Sequence, residues 1–360
     1  MIKVSHVIGN LGYGGAEKLL LDICRKIDKD NFEIDVMALY RNSDNPLGKQ
    51  FEDAGIKVEY FNKKNKFDIS VLNKMEEFLR TTAPDIVHTH LFGGDFWGAS
   101  AARSAGVEHV VCTKHDIMSE GYVRDSLGRR SRREMEKIVA ISNATREFLI
   151  KKEKISIDKI QVIYNGIDVS RFYIENPGVL QKEGLVIGCV GRLSKEKGQK
   201  HLLRACRFIK NKDWRLILVG DGPMREELEN LAKLLGIENQ VVFTGSVSDV
   251  RPYLAQMDVF VLPSISEGLS LAVLEAACSG RFVIATNVGG VPEIIDSKEN
   301  GFLFKPKNIE QLVTHLNWVD DNREDAIRMA EKLQDFVCDK FDINKTISEY
   351  ERLYYSLMNK

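Results

Sequence analysis

Short runs of β-branched and apolar residues alternate with stretches of helical periodicity along the whole chain. Val4–Ile8 reads as a strand, the apolar spacing from Gly15 to Ile27 as a helix, and Glu33–Leu39, Asp85–His90 and His109–Lys114 as further strands. Strand and helix in rotation predict βαβ units, hence a parallel sheet with helices on both faces. The rhythm restarts at Leu185–Val190, followed by helix 199–210, strand 215–219, helix 223–235, strands 241–243 and 258–262, helix 268–279 and strand 282–285. The predicted fold class is therefore α/β, with two Rossmann-like, doubly wound parallel-sheet lobes, residues 1–174 and 185–340, facing a central cleft.

Between the lobes, residues 174–184 carry Pro177, Gly178 and Gly184 without periodicity, as a hinge does. After the second lobe, Ile347, Tyr350, Leu353, Tyr354 and Leu357 make an amphipathic stripe in the segment 343–360. That stripe fits either lobe, and a return to the first is one of the two choices.

Composition narrows the class of function. A chain of 360 residues exceeds one core of ordinary size, in keeping with two lobes. A formal net charge of -1 argues against a nucleic-acid binder, which carries a basic excess. The six cysteines are scattered and lack zinc-like spacing, so reduced core residues of a cytoplasmic protein are expected. The polar N-terminus does not read as a signal peptide, and no apolar run reaches the roughly 18 residues of a membrane span.

Three segments carry candidate chemistry. Gly9-Asn10-Leu11-Gly12-Tyr13-Gly14-Gly15-Ala16-Glu17 follows a strand and opens a helix, where the Gly14 and Gly15 amides can meet an anion. A plain tight turn explains the glycines equally well. Gly191-Arg192-Leu193-Ser194-Lys195-Glu196-Lys197-Gly198 puts two cations at the carboxyl end of a strand, where open α/β sheets bind ligands; an exposed solvated loop is the alternative. In Ser264–Gly280, Glu267 precedes a helix and Glu275 lies within it among Leu271, Val273, Leu274 and Ala276. A carboxylate buried there needs a partner such as a ribose diol, unless it sits at the solvent edge. The amides of Gly268, Leu269 and Ser270 at the helix start offer a second anion site.

These segments together resemble a known family. E-G-L-S-L-A-V-L-E-A from Glu267, with G-R-L-x-x-x-K-G upstream and G-G-A-E near the N-terminus, is similar to the retaining glycosyltransferases of family 4, which have the GT-B fold. Val219-Gly220-Asp221-Gly222-Pro223, Val242-Phe243-Thr244-Gly245 and Val162-Ile163-Tyr164-Asn165-Gly166-Ile167-Asp168 also match, in family order. The resemblance implies retaining transfer of a hexose or N-acetylhexosamine from a nucleotide sugar, with UDP favoured, to a glycan or lipid-linked acceptor of polysaccharide biosynthesis.

It further implies that Arg192 and Lys197 neutralise the donor diphosphate, Glu275 holds the ribose and Glu267 the sugar hydroxyls. Backbone near Gly245 and Val247 reads the base, and Gly14 and Gly15 meet the phosphate. His115, in Thr113-Lys114-His115-Asp116, matches the family's active-site histidine, while Tyr13 and His90 lie on the acceptor side. Catalysis then rests on stabilising the leaving phosphate.

No cofactor and no metal are expected. Asp28-Lys29-Asp30 falls at the wrong end of the sheet, and His88 and His90 share a strand face without a third ligand near in sequence. Arg124, Arg129, Arg130, Arg132, Arg133 and Lys137, continued by Lys151, Lys152 and Lys154, form a basic stretch suited to an anionic membrane surface on the cytoplasmic side, or simply a solvated face. A nucleotide-sugar 2-epimerase and a non-catalytic sugar-nucleotide sensor remain as alternatives.

Overall fold

The structure, a computed structural model, describes residues 1–41, 47–65, 68–117, 121–175, 177, 180 and 184–359. The chain divides into two compact units, Met1–Gly166 with Ile343–Lys360, and Ile167–Asp342. Each is built on one parallel sheet.

In the first unit the strands are β1 (Ile2–Ile8), β2 (Phe32–Ala38), β3 (Lys57–Tyr60), β4 (Ile86–His90), β5 (His109–Lys114), β6 (Lys137–Ala140) and β7 (Ile160–Val162), in the order β3-β2-β1-β4-β5-β6-β7. Alternation along the strands fills both faces. Val7, Met37, Val87, Cys112 and Ile138 pack with Val71, Met75 and Leu79 of the helix Ser70–Thr82. Ile8, Val36 and Ala38 point the other way, onto Leu20, Leu21 and Cys24 of the helix Gly15–Lys26.

The second face also receives the last helix, Ile343–Met358, which answers the choice the sequence leaves open. Tyr350 and Tyr354 are fully buried there. The Tyr354 hydroxyl lies 2.7 Å from His88 Nδ1 on β4, and the Tyr350 hydroxyl 3.1 Å from Thr113 Oγ1 on β5. Each ring buries large apolar area, and its polar tip finds a partner among the few polar residues of the sheet.

The second unit has β8 (Leu185–Val190), β9 (Trp214–Val219), β10 (Val241–Gly245), β11 (Val259–Leu262), β12 (Phe282–Thr286) and β13 (Phe302–Phe304), in the order β10-β9-β8-β11-β12-β13. Strands such as β11, Val259-Phe260-Val261-Leu262, are apolar throughout because both faces are covered. In both sheets the strand order reverses beside the first strand, between β1 and β4 and between β8 and β11. Open α/β sheets present their ligand crevice at such a reversal, outside the carboxyl ends of the strands.

The division differs from the expected hinge at 174–184. It falls after Gly166 because the Ile167 N–H bonds to the Phe341 carbonyl and Phe172 is buried, committing 167–174 to the second unit. Of the expected hinge, Asn176, Gly178, Val179 and residues 181–183 lie outside the described residues. The rest is tied down, with the Leu180 amide on Asp258 and the Pro177 carbonyl accepting from Arg281. Among the described residues no helix is long and apolar enough to cross a membrane.

Candidate active site

In the second unit, two loops at the strand-order reversal are stitched together. The chain leaves β8 at Gly191 and forms a short turn, Lys195–Lys197, before the helix Gln199–Cys206. Gly198 joins them at φ +66°, and a Cβ there would stand 2.2 Å from the Pro263 carbonyl oxygen, so only glycine lets the two loops approach this closely. The Ile265 amide donates to the Glu196 carbonyl at 2.7 Å, and Thr286 Oγ1 donates to the Ser264 carbonyl. The Gln199 side-chain amide holds the Arg192 carbonyl at 2.9 Å.

This frame brings Lys197 to Glu267: Lys197 Nζ and Glu267 Oε1 are 2.7 Å apart, the lysine side chain 30% exposed and the glutamate 8%. Arg192 is exposed on the same loop, and its guanidinium makes no ion pair or hydrogen bond with the described residues. One cation is thus held in place, and a second, near enough to Glu196 to help lower its carboxyl, can grip an oxyanion bidentately.

The helix expected at 268–279 is shorter, Leu271–Cys278, so Gly268, Leu269 and Ser270 form its approach and Ser270 its N-cap. Glu275 is buried inside it, only 5% exposed, which removes the solvent-edge alternative. Val247 is half-buried in the loop after β10, next to Gly245, whose carbonyl accepts from the Gly220 amide at 3.0 Å.

In the first unit, Asn10 Oδ1 accepts from the Gly12 amide at 2.8 Å and turns the chain after β1. Gly14 is the extended N-cap of the helix Gly15–Lys26, exposed together with Gly15, and Tyr13 is 48% exposed beside them. After β4, Leu91 takes φ +61°, a left-handed conformation costing roughly 1–2 kcal/mol. The turn it makes lets Gly94 pack so close to β1 that a Cβ would meet the Val7 carbonyl oxygen at 2.4 Å.

His90 ends β4, and His115 follows β5. The structure joins them: His90 Nδ1 is 3.0 Å from His115 Nε2. Burial holds the His115 imidazole down to a pKa of about 4 and His90 well below the ordinary histidine value, so both rings are neutral at pH 7. His115 lines a cavity of about 390 Å³ together with Lys114, Asp116, Arg124, Arg129 and Phe148. Of the loop that follows His115, residues 118–120 lie outside the described residues.

The basic stretch is less uniform than its composition. Arg132 is 4% exposed, its guanidinium bonded bidentately to Glu153 at 2.7 and 2.8 Å and to Asp95 at 2.6 Å, so it is an internal ion-pair centre rather than a surface cation. Arg133 is tied to the Glu153 carbonyl and Lys137 to the Asp158 carbonyl. Sequence reasoning also missed His6. On β1 it pairs in register with His88, and its Nδ1 is 2.9 Å from His90 Nε2, so the third imidazole that is absent near His88 and His90 in sequence is present in space.

The chain resembles known proteins over most of its length. The family model described as "Glycosyl transferases group 1" matches residues 172–336, and that described as "Glycosyltransferase Family 4" matches residues 13–171. The chain is 27% identical to the UDP-Gal:alpha-D-GlcNAc-diphosphoundecaprenol alpha-1,3-galactosyltransferase of Escherichia coli, over 99% of this chain and 97% of that one. It is 28% identical to the N-acetyl-alpha-D-glucosaminyl L-malate synthase of Bacillus anthracis, over 81% and 80%. Among solved structures, Anabaena HepE in complex with UDP-glucose superposes with a TM-score of 0.89 at 23% identity, covering 99% of this chain and all of that one. The two parallel-sheet units, their strand order and these matches together place the chain in the family-4-type glycosyltransferases of GT-B fold.

Proposed function

We propose that this glycosyltransferase is a retaining enzyme that moves a hexose or N-acetylhexosamine from a UDP-sugar to a glycan or lipid-linked acceptor. The observation that carries the reading is the Lys197–Glu267 pair at the reversal of the second sheet, with Arg192 exposed on the same loop as Lys197. In this reading a donor diphosphate takes Lys197 from Glu267 and binds Arg192 as well, while the released carboxylate accepts from sugar hydroxyls. Glu275 holds the ribose, and backbone at Val247 and at Gly268, Leu269 and Ser270 meets the base and phosphates, while the exposed Gly14 and Gly15 amides of the first unit offer an anion site of their own. Charge developing on the leaving diphosphate is then stabilised by groups already in position. In the first unit, His115 is the candidate catalytic histidine, with Tyr13 and the cavity that His115 lines on the acceptor side.

The names of relatives support the donor class. The Escherichia coli relative is named for UDP-galactose and a diphosphoundecaprenol acceptor, and HepE was solved with UDP-glucose. Peripheral docking on an anionic membrane belongs to the same reading, now resting on Arg124, Arg130, Lys151, Lys152 and Lys154 without Arg132. Flotation with anionic vesicles at low salt tests it.

A thermal-shift screen against nucleotide sugars tests the donor, since a ligand of the folded state raises Tm. The expected result is a rise with UDP-sugars that Lys197→Ala abolishes. The anomeric configuration of the product, read by NMR, decides retention, and activity after chelation decides metal independence. Conversion of a UDP-sugar incubated alone into its 2-epimer would overturn the transferase reading.

A further inference from the structure

His115 is one end of a buried chain of rings. Its Nε2 meets His90 Nδ1 at 3.0 Å, and His90 Nε2 meets His6 Nδ1 at 2.9 Å. There the chain stops: His6 Nε2 is buried and has no hydrogen-bond partner among the described residues. His88 lies alongside, stacked on His90 with ring centroids 4.6 Å apart, but it is not a link, because its nitrogens are taken by Tyr354 and Thr113. The series therefore has a blind end in the core and an open end, His115 Nδ1, on a residue that lines the cavity.

We propose that His90 and His6 are positioning residues that couple the tautomer of His115 to their own, so that its Nδ1 is set as donor or acceptor by the ligand it meets. The proposal rests on the reading of His115 as a site residue. Each contact between neutral imidazoles needs one N–H and one lone pair. Two contacts in series then allow only two arrangements. In one, His6 Nδ1–H donates to His90 Nε2, His90 Nδ1–H donates to His115 Nε2, and His115 Nδ1 carries a proton. In the other every ring is protonated at Nε2, the donations run towards His6, and His115 Nδ1 is a bare acceptor. All three rings share one tautomer in either case.

The blind end is unsatisfied in both arrangements, by a lone pair in the first and an N–H in the second. Neither arrangement escapes that cost, so a ligand hydrogen bond at the open end is enough to weigh in the choice. Burial keeps the chain uncharged, lowering His6 to about 3 and His115 to about 4. A sugar hydroxyl can thus be met as donor or acceptor without a charge entering the core.

A metal ion is the competing occupant, since nitrogens of His6, His88 and His90 lie within 4.8 Å of one another. The stacked His88 and His90 rings run side by side, however, and every nitrogen of those two rings is already hydrogen-bonded. Among the described residues no carboxylate or thiolate joins the group to balance a cation.

The test is ¹⁵N NMR of the imidazoles in full-length protein at pH 7, which distinguishes protonated from bare ring nitrogens without any turnover. His6, His90 and His115 are expected in one common tautomer, and UDP-glucose, used as the probe, is expected to shift all three together. In His6→Phe the His115 signals should move although the substitution lies two rings away, and release of UDP from UDP-glucose should fall about tenfold, equivalent to one hydrogen bond of about 1.4 kcal/mol, with KM unchanged. His90→Phe, which keeps a ring in the stack, should uncouple His6 from His115. Mixed tautomers in the wild type, His115 signals untouched by His6→Phe, or one equivalent of zinc retained through dialysis would each overturn the proposal. If His115→Ala leaves turnover intact, the reading of the site fails instead, and the ligand-free tautomers alone decide the chain.

Discussion

Lys197 Nζ stands 2.7 Å from Glu267 Oε1, although 70 residues separate them in sequence. Neither residue is there for its neighbour alone: the lysine keeps a partly exposed face, and the glutamate is sealed beneath it. Lys197→Ala leaves a buried carboxylate without its cation, which costs about 1–3 kcal/mol. It also removes a positive charge aimed at the proposed leaving group, so kcat/KM should fall by about 10²–10³-fold. Glu267→Gln should cost less stability, because the amide still accepts from Lys197. A double-mutant cycle on Tm and kcat/KM separates the two roles, and additive effects would show that the pair does not act as one unit.

Arg132 carries a different expectation from the cations around it. Arg132→Met strands Asp95 and Glu153 in the core, which costs about 3–5 kcal/mol. Arg130→Ala, at a side chain 84% exposed, should leave the urea midpoint where it is. Vesicle binding should respond in the opposite order, weakening with Arg130→Ala and not with Arg132→Met in protein that remains folded.

Acid should loosen the first unit. His6, His88, His90 and His115 are held neutral chiefly by burial, whereas in the unfolded chain each titrates near 6.5. Folded pKa values are depressed, so the unfolded state binds more protons between pH 6.5 and about 4. Stability is complete above pH 6.5 and falls below it, by up to about 1.4 kcal/mol per pH unit for each histidine. Asp35, raised to about 6 by burial, opposes this, as do Glu17 and Asp95, which burial also raises, and Asp116 and Lys114 act on His115 in opposite directions. Thermal unfolding at pH 7.5 and pH 5 checks the expectation; an unchanged Tm would contradict it.

Two of the six cysteines are within reach of each other. Cys278 Sγ is 3.1 Å from Cys338 Sγ, joining the end of the helix Leu271–Cys278 to the helix Arg323–Lys340. The Cys338 thiol, its pKa lowered by its hydrogen bond to Cys278, is the better nucleophile of the two. With diamide as oxidant, the two thiols should give up two electrons and two protons and form one disulfide after an approach of about 1 Å. Thiol titration and intact mass should show the loss of two thiols and two hydrogens, and Cys338→Ser should prevent both. Four buried cysteines should stay unreacted.

What the sequence made legible was whatever repeats locally. Apolar runs such as Leu185–Val190 and Val259–Leu262 declare buried parallel strands, and the glycines and charges of Gly191–Gly198 mark the loop between them. The family motifs named Lys197 and Glu267 separately, but nothing in their spacing said that they touch. His6 was invisible as a partner of His90 because the two lie 84 positions apart and the contact exists only once β1 and β4 lie side by side. Arg132 was indistinguishable from Arg130 in a run of cations, since burial is decided by Asp95 and Glu153 from elsewhere in the chain. The side taken by the last helix was hidden for the same reason: its tyrosines need His88 and Thr113, which no local pattern announces.

That last helix also sets an order of assembly. Residues 167–342 are contiguous, so the second unit can collapse as it is synthesised. The first unit is translated earlier yet finishes later, because the part of its sheet face beside the helix Gly15–Lys26 stays uncovered, with His88 and Thr113 unmet, until Tyr350 and Tyr354 arrive. A stop codon before Ile343 would therefore do its damage to the half of the protein made first.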